Sequence, residues 1–197
     1  MHNRASVPAG ADTRNLTMTV ALGWDGAVAN GKPAWKHSCV GATGRSTLYG
    51  AHYVIQADKS FRTRLVRMHY VGGPTLHVIT DGKGNWQDVI SGGSIAELEG
   101  CLDVDIGVTP STNTLPIRRL MLEQGSSADI RIAYVPLPDQ IEKPFLPRPA
   151  AQRYTCITAG HLYRYDGLFR NFSADLEVDR NGLVIDYPKT FRRLSLQ

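Results

Sequence analysis

The residues best equipped for chemistry stand together in GCLDVDIGVTPSTNTLPIRRL, residues 100–120. Asp103 and Asp105 alternate, so in an extended segment both carboxylates leave one face, with Leu102, Val104 and Ile106 on the other. Such a pair can share a proton, hold a hard cation or pair with arginine. Acid–base work calls for a third group to orient the pair, and the sequence names none. A calcium loop calls for further carboxylates, whereas IGVTPSTNT offers hydroxyls and an amide. Arginine is close at hand, because Arg118 and Arg119 follow directly after the turn. An Asp–Arg network is therefore the preferred reading, and a catalytic role for Asp103 or Asp105 is the alternative. No residue is assigned as catalytic.

TPSTNT reads as a turn whose side chains cap their own backbone. Thr112, Asn113 and Thr114 also supply the hydroxyl and amide groups that a sugar-binding rim uses. In HLYRYDG (161–167), His161, Tyr163 and Tyr165 share a face of a strand. Alternating tyrosines serve cross-strand packing, and they also suit the wall of an amphiphile pocket. The candidate ligand-contacting set is thus Asp103, Asp105, Thr112, Asn113, Thr114, Arg118, Arg119, Tyr163 and Tyr165.

Other reactive types lack a usable arrangement. His2, His37, His52, His69, His77 and His161 show no ligand spacing, and Cys39, Cys101 and Cys156 are odd in number and far apart. Neither a metal nor a cofactor is expected. GATGRS (41–46) lacks the lysine and length of a phosphate loop. Arg62, Arg64 and Arg67 split across two strand faces, and the net charge of +4 is spread thinly, so no nucleic-acid stripe forms. Arginine outnumbers lysine 16 to 6, which favours forked ion pairs, some of them inward.

The elements that must position these groups read as strands almost throughout. STLYGAHYVIQA (46–57), FRTRLVRMHYV (61–71) and TLHVIT (75–80) follow one another, and DGKG (81–84) is a hairpin turn into NWQDVI. SIAELEG (94–100) has a serine start, a glutamate three residues on and a glycine stop, which predicts the chain's one notable helix. LPIRRLMLE (115–123) and ADIRIAYVPL (128–137) read as strands. The proline-rich stretch 136–152 reads as an irregular connector draped over the body or covering an opening. In NFSADLEVD, Phe172, Ala174, Leu176 and Val178 face one way, and Ser173, Asp175, Glu177 and Asp179 the other. Short strands at roughly ten-residue spacing predict a mostly antiparallel barrel, roll or sandwich, with half or more of the residues in strands. The 197 residues suit one domain over 16–197 behind a loosely held terminus, 1–15. MHNRASVPAGADTRN has no apolar core of signal-peptide length and no segment is long enough to span a membrane, so a cytoplasmic protein is expected.

Three blocks, GCLDVDIGVTPSTNTLPIRRL (100–120), RYTCITAGHLYRYDG (153–167) and ADLEVDRNGLVIDYPKTFRRL (174–194), resemble the Putative glycolipid-binding family of bacterial proteins. VIQADKSFRTRLVRMHYVGG (54–73) is a weaker fourth block, and the likeness runs from about Arg45 to Leu194. The resemblance implies an antiparallel spiral β-roll, a half-open barrel curled around a short helical insert, similar in shape to periplasmic carriers of bacterial lipoproteins. It further implies a non-enzymatic partner for a lipid or glycolipid, held on the concave face. That face would be covered by ligand, by the proline-rich connector or by a second copy in a homodimer.

Overall fold

The computed structural model describes residues 18–20, 34–42, 48–188 and 190–193, and the terminus expected over 1–15 lies outside them. Strands β2 (Ala34–Ala42), β3 (Leu48–Ala57), β4 (Thr63–Tyr70), β5 (Thr75–Thr80) and β6 (Trp86–Asp88) form an antiparallel sheet in chain order. A second sheet of eight strands uses β1 (Met18–Val20), β7 (Asp103–Ile106), β8 (Ser127–Val135), β9 (Arg148–Thr158), β10 (Leu162–Gly167), β11 (Phe172–Val178), β12 (Val184–Tyr187) and β13 (Phe191–Arg193). Their order is β1-β13-β12-β11-β10-β9-β8-β7. The sheets are tied where Thr63 N donates to Leu102 O at 3.0 Å and Val104 N donates to Thr63 Oγ1 at 3.0 Å. Strand makes up 49%, just under the half or more that the spacing predicts, and the mostly β, curled half-barrel architecture is as expected.

The patterned strands behave as their sequences dictate. Leu176 and Val178 of β11 are buried, while Asp175 on the outer face pairs with Arg164 of β10 at 2.8 Å. Asp129 and Arg153 form a second outer cross-strand pair at 2.5 Å. The outer face of the larger sheet is thus covered by exposed ion pairs, which favour solubility far more than stability. At DGKG, Gly82 and Gly84 take φ of +74° and +100°, and the Asp81 carboxylate accepts from Lys83 N at 2.7 Å and Asn85 Nδ2 at 2.6 Å.

The helix is not where the serine start and glycine stop predict. Ala96–Leu98 makes one 3-10 turn, because Ile95 N and Gly100 N are drawn to Trp86 O and Gly84 O of the β5–β6 hairpin. The true helix is α1 (Thr114–Leu120), on a segment expected as strand. The Thr109 side chain accepts from Ser111 N at 3.2 Å and starts a 3-10 turn, Pro110–Asn113, that runs into α1. Pro116 sits in the first turn, where a missing N–H goes unnoticed. The consecutive burial of Thr114, Leu115, Pro116 and Ile117 fits a helix and not a strand. This element has a topological duty: β7 and β8 pair in parallel, and a parallel pair needs a crossover between its strands. β1 and β13 are also parallel, so the mostly antiparallel sheet carries a parallel pair at each edge.

The connector is partly regular as well. β9 begins at Arg148, inside the stretch expected to be irregular. The rest drapes over the body, where Leu137, Ile141, Phe145 and Leu146 pack on the core and Tyr70 donates to Pro136 O at 2.8 Å. Leu115 and Ile117 of α1 join Tyr53, Met68, Tyr154 and Leu176 in one buried cluster between the sheets. Helix and side chains therefore pack together in the interior of the curl.

Candidate ligand-binding site

The Asp-x-Asp alternation survives folding, and the two carboxylates meet different surroundings. Asp103 is fully buried and receives a forked contact from Arg119 of α1, with Nε to Oδ1 at 3.0 Å and a terminal nitrogen to Oδ2 at 2.6 Å. Burial pushes the Asp103 carboxyl above the usual range, and the Arg119 hydrogen bonds oppose that. The expected Asp–Arg pair is thus present, although the arginine arrives from a helix and not from a returning strand.

Asp105 is enclosed by protein yet keeps some accessible surface. Its Oδ1 accepts from Thr112 Oγ1 at 2.9 Å and its Oδ2 from Gln152 Nε2 at 2.7 Å. Burial raises this carboxyl too, opposed by the charge of Arg170 and then by those two hydrogen bonds. Among the described residues no ion pair reaches Asp105. From Gln152 the network continues to Tyr165, whose hydroxyl accepts from Gln152 Nε2 at 3.1 Å and from Arg170 at 3.2 Å. With two donors aimed at its oxygen, the Tyr165 hydroxyl serves here as an acceptor.

Aromatic rings surround this network. Tyr165 lies 5.5 Å from Tyr154 and 6.0 Å from Tyr187. The Arg170 guanidinium sits over Phe172 at 5.2 Å and Phe169 at 5.1 Å, on the β10–β11 turn, and remains exposed. Tyr134, the register partner of Asp105, carries Arg148 over its ring at 5.5 Å. Burial followed by the Asp105 charge lifts the Tyr134 phenol to about 12, and burial pushes Tyr154, Tyr165 and Tyr187 higher still. All four are therefore neutral hydrogen-bonding groups near neutral pH. Gly167 makes room for the site, since a Cβ there would stand 2.9 Å from the Tyr165 hydroxyl.

The remaining candidates divide between two roles. Asn113 and Thr114 are internal: Asn113 Oδ1 accepts from Tyr154 at 2.7 Å, and Thr114 donates to Gly182 O at 2.9 Å. Arg118 and Tyr163 lie elsewhere, on a groove of about 390 Å³ that Asp105 does not line. The structure thus gathers Asp105, Thr112 and Tyr165 in one hydrogen-bond network, and sets the other six candidates around or apart from it.

Gln152, Tyr134, Tyr187 and Arg170 are site residues that the sequence reading missed. Gln152 carried a usable signal: once β9 starts at Arg148, Gln152 falls on the inward face with Tyr154 and Cys156. Arg170 carried none, because its place depends on rings from three other segments. Folding also gathers His52, His69 and His77 with Arg67 on the outer face of β3–β5. Among the described residues no group of three or more His, Cys, Asp or Glu is placed to hold a metal. No described helix is long and apolar enough to cross a membrane.

A family model described as Putative glycolipid-binding matches residues 27–193. The crystal structure of a DUF1089 family protein from Pseudomonas aeruginosa is similar, with 37% identity and a TM-score of 0.70, covering 82% of this chain and 86% of that one. No curated protein matches the chain significantly.

Proposed function

The chain belongs to the Putative glycolipid-binding family, and from that premise we propose that it binds the sugar head of a glycolipid at Asp105. The observation that carries this reading is the Asp105–Gln152–Tyr165–Arg170 network, an acceptor, an amide and two donors linked beside a cluster of aromatic rings. Sugars present hydroxyls that both donate and accept, on rings whose C–H faces pack on aromatic side chains. A buried carboxylate accepts hydroxyl protons strongly, because charge-assisted hydrogen bonds are about twice as strong as neutral ones. Thr112 and Gln152 hold the carboxylate in place, and Tyr165 and Arg170 donate to ring and glycosidic oxygens. Asp103–Arg119, Asn113 and Thr114 keep the turn and α1 in register behind them. The tail lies outward over Leu168 and Phe169, which are 48% and 37% exposed.

Titration calorimetry with octyl glucoside and with octanol tests this. The glycoside is expected to bind and octanol not to, and Asp105→Asn and Tyr165→Phe each weaken the glycoside tenfold or more. Equal binding of octanol would refute a head-group site.

A second reading is favoured by one observation: two neighbouring carboxyls, both raised by burial, have different partners, Asp103 an ion pair with Arg119 and Asp105 only neutral donors. Split environments of this kind separate acid and base roles in enzymes. Asp105 would then protonate the leaving oxygen of a small amphiphile as water adds to the carbon it leaves and returns a proton to Asp105, with Thr112 and Gln152 as the orienting groups. Release of nitrophenol from nitrophenyl glycosides, lost in Asp105→Asn, would establish this reading, and its absence across such substrates would leave the binder.

A further inference from the structure

We infer that the groove between Phe61, α1 and the β11–β12 turn is a second site, independent of Asp105, for the carboxylate end of a single-chain fatty acid. Its wall is apolar, formed by Phe61, Ile117, Met121, Leu122, Tyr163 and Val178, and its volume of about 390 Å³ is within the range of small-molecule sites. Arg118 and Arg180 stand at its edge, both exposed. The acid in the groove, Asp179, is already held by Arg193 at 2.7 Å and by the backbone N–H groups of Asn181 and Leu183. Among the described residues no ion pair engages Arg118 or Arg180, so the groove offers two guanidinium groups over an apolar wall. An anionic head with an aliphatic tail complements that arrangement.

Arg118 is also built into place. Its guanidinium lies over the Phe61 ring at 5.0 Å, and its stem runs against Gly182, where a Cβ would come within 3.1 Å of Arg118 Cδ. The ring under one face of the guanidinium leaves the N–H groups free in its plane, where a carboxylate is met by two parallel bonds.

The backbone supplies a separate indication. Phe61 and Met121 have φ of +61° and +47°, and both line this groove. Bulky residues rarely adopt that region, and side chains held there against preference cluster at ligand clamps. Asp58 enforces the Phe61 conformation by accepting from Ser60 N at 2.9 Å and Arg62 N at 3.0 Å, while Phe61 N donates to Asp58 O at 3.0 Å. Glycine would suit either position without strain, but would remove the ring under Arg118 or the 81% exposed thioether at the groove's lip.

Displacement of a fluorescent fatty acid by dodecanoate, dodecanol and octyl glucoside tests the site. Dodecanoate is expected to compete, dodecanol to be at least tenfold weaker, and octyl glucoside to have no effect. Arg118→Glu combined with Arg180→Glu alters only exposed side chains and is expected to weaken dodecanoate more than tenfold, whereas Asp105→Asn leaves it unchanged. Equal binding of dodecanol, or dodecanoate binding that survives the double charge reversal, overturns the proposal. Loss of dodecanoate binding in Asp105→Asn would also overturn it, by merging the two sites. Failure of the glucoside at Asp105 leaves this result unaffected.

Discussion

Replacing Arg119 by methionine isolates the buried charge of Asp103. The methionine chain fills most of the space of the arginine stem, so the change removes charge and hydrogen bonds and little volume. It leaves Asp103, fully buried, without the group that accepts its charge through bonds of 3.0 and 2.6 Å. Breaking a buried pair from one side costs about 3–5 kcal/mol. In a domain of this size each kcal/mol lowers Tm by roughly 2–4 °C, so Arg119→Met is expected to melt about 6–20 °C below the parent at pH 7. The deficit should shrink with acidity. Asp103 already has a raised folded pKa, and loss of Arg119 raises it further. A carboxyl raised by folding binds its proton more readily folded than unfolded, so the variant regains stability as pH falls through that raised value. Methionine at 119 together with leucine at 103 should recover most of the loss, because an apolar pair of similar volume replaces a buried ion pair at little cost. Thermal and urea melts at pH 7 and pH 5 decide it. A single variant within about 0.5 kcal/mol of the parent at both pH values would mean that the pair is not load-carrying, and the reasoning would fail.

Asp105→Asn should be at least as stable as the parent at pH 7, since it removes a buried charge with no ion pair. Its advantage should fade as pH falls and Asp105 takes up a proton; a clear loss of stability at pH 7 would show the charge to be compensated. Gly167→Ala should destabilise by about 1–3 kcal/mol through contact with the Tyr165 hydroxyl, and unchanged melting would place that hydroxyl elsewhere. Alkaline absorbance titration should find Tyr134 ionising only near pH 12, with Tyr154, Tyr165 and Tyr187 later still, whereas ionisation of all eight tyrosines near pH 10 would contradict the buried cluster. Met121→Gly should raise stability by up to about 1 kcal/mol through relief of its positive φ while weakening dodecanoate, and destabilisation would argue against strain there.

What could be read in advance was whatever local periodicity determines. The two-residue period of β11 sets its inward face, and the alternation of Asp103 with Asp105 brings both carboxylates to one side of β7. That Asp103 or Asp105 would meet Arg118 or Arg119 was also legible from proximity in sequence, and the fold selects Asp103 with Arg119. The helix was not. LPIRRLML can alternate as a strand or bury consecutive residues as a helix, and the parallel β7–β8 pairing, a long-range demand, selects the helix. SIAELEG has the start and stop of a helix but loses its backbone donors to the neighbouring hairpin. The site divided along the same line. Thr112 lies seven residues from Asp105 and could be anticipated, while Arg170 reaches the network only because β8, β10 and β11 bring their rings together around it.

The central claim is that a sugar head is held at Asp105, and the most direct measurement is of what the protein carries when isolated. Parent and Asp105→Asn protein, prepared identically from the native host, are examined by native mass spectrometry and then by denaturing extraction. The account predicts a glycolipid at near one per chain on the parent, and a folded Asp105→Asn variant that carries almost none. An empty parent that also fails to bind octyl glucoside, or a variant loaded as fully as the parent, would contradict it.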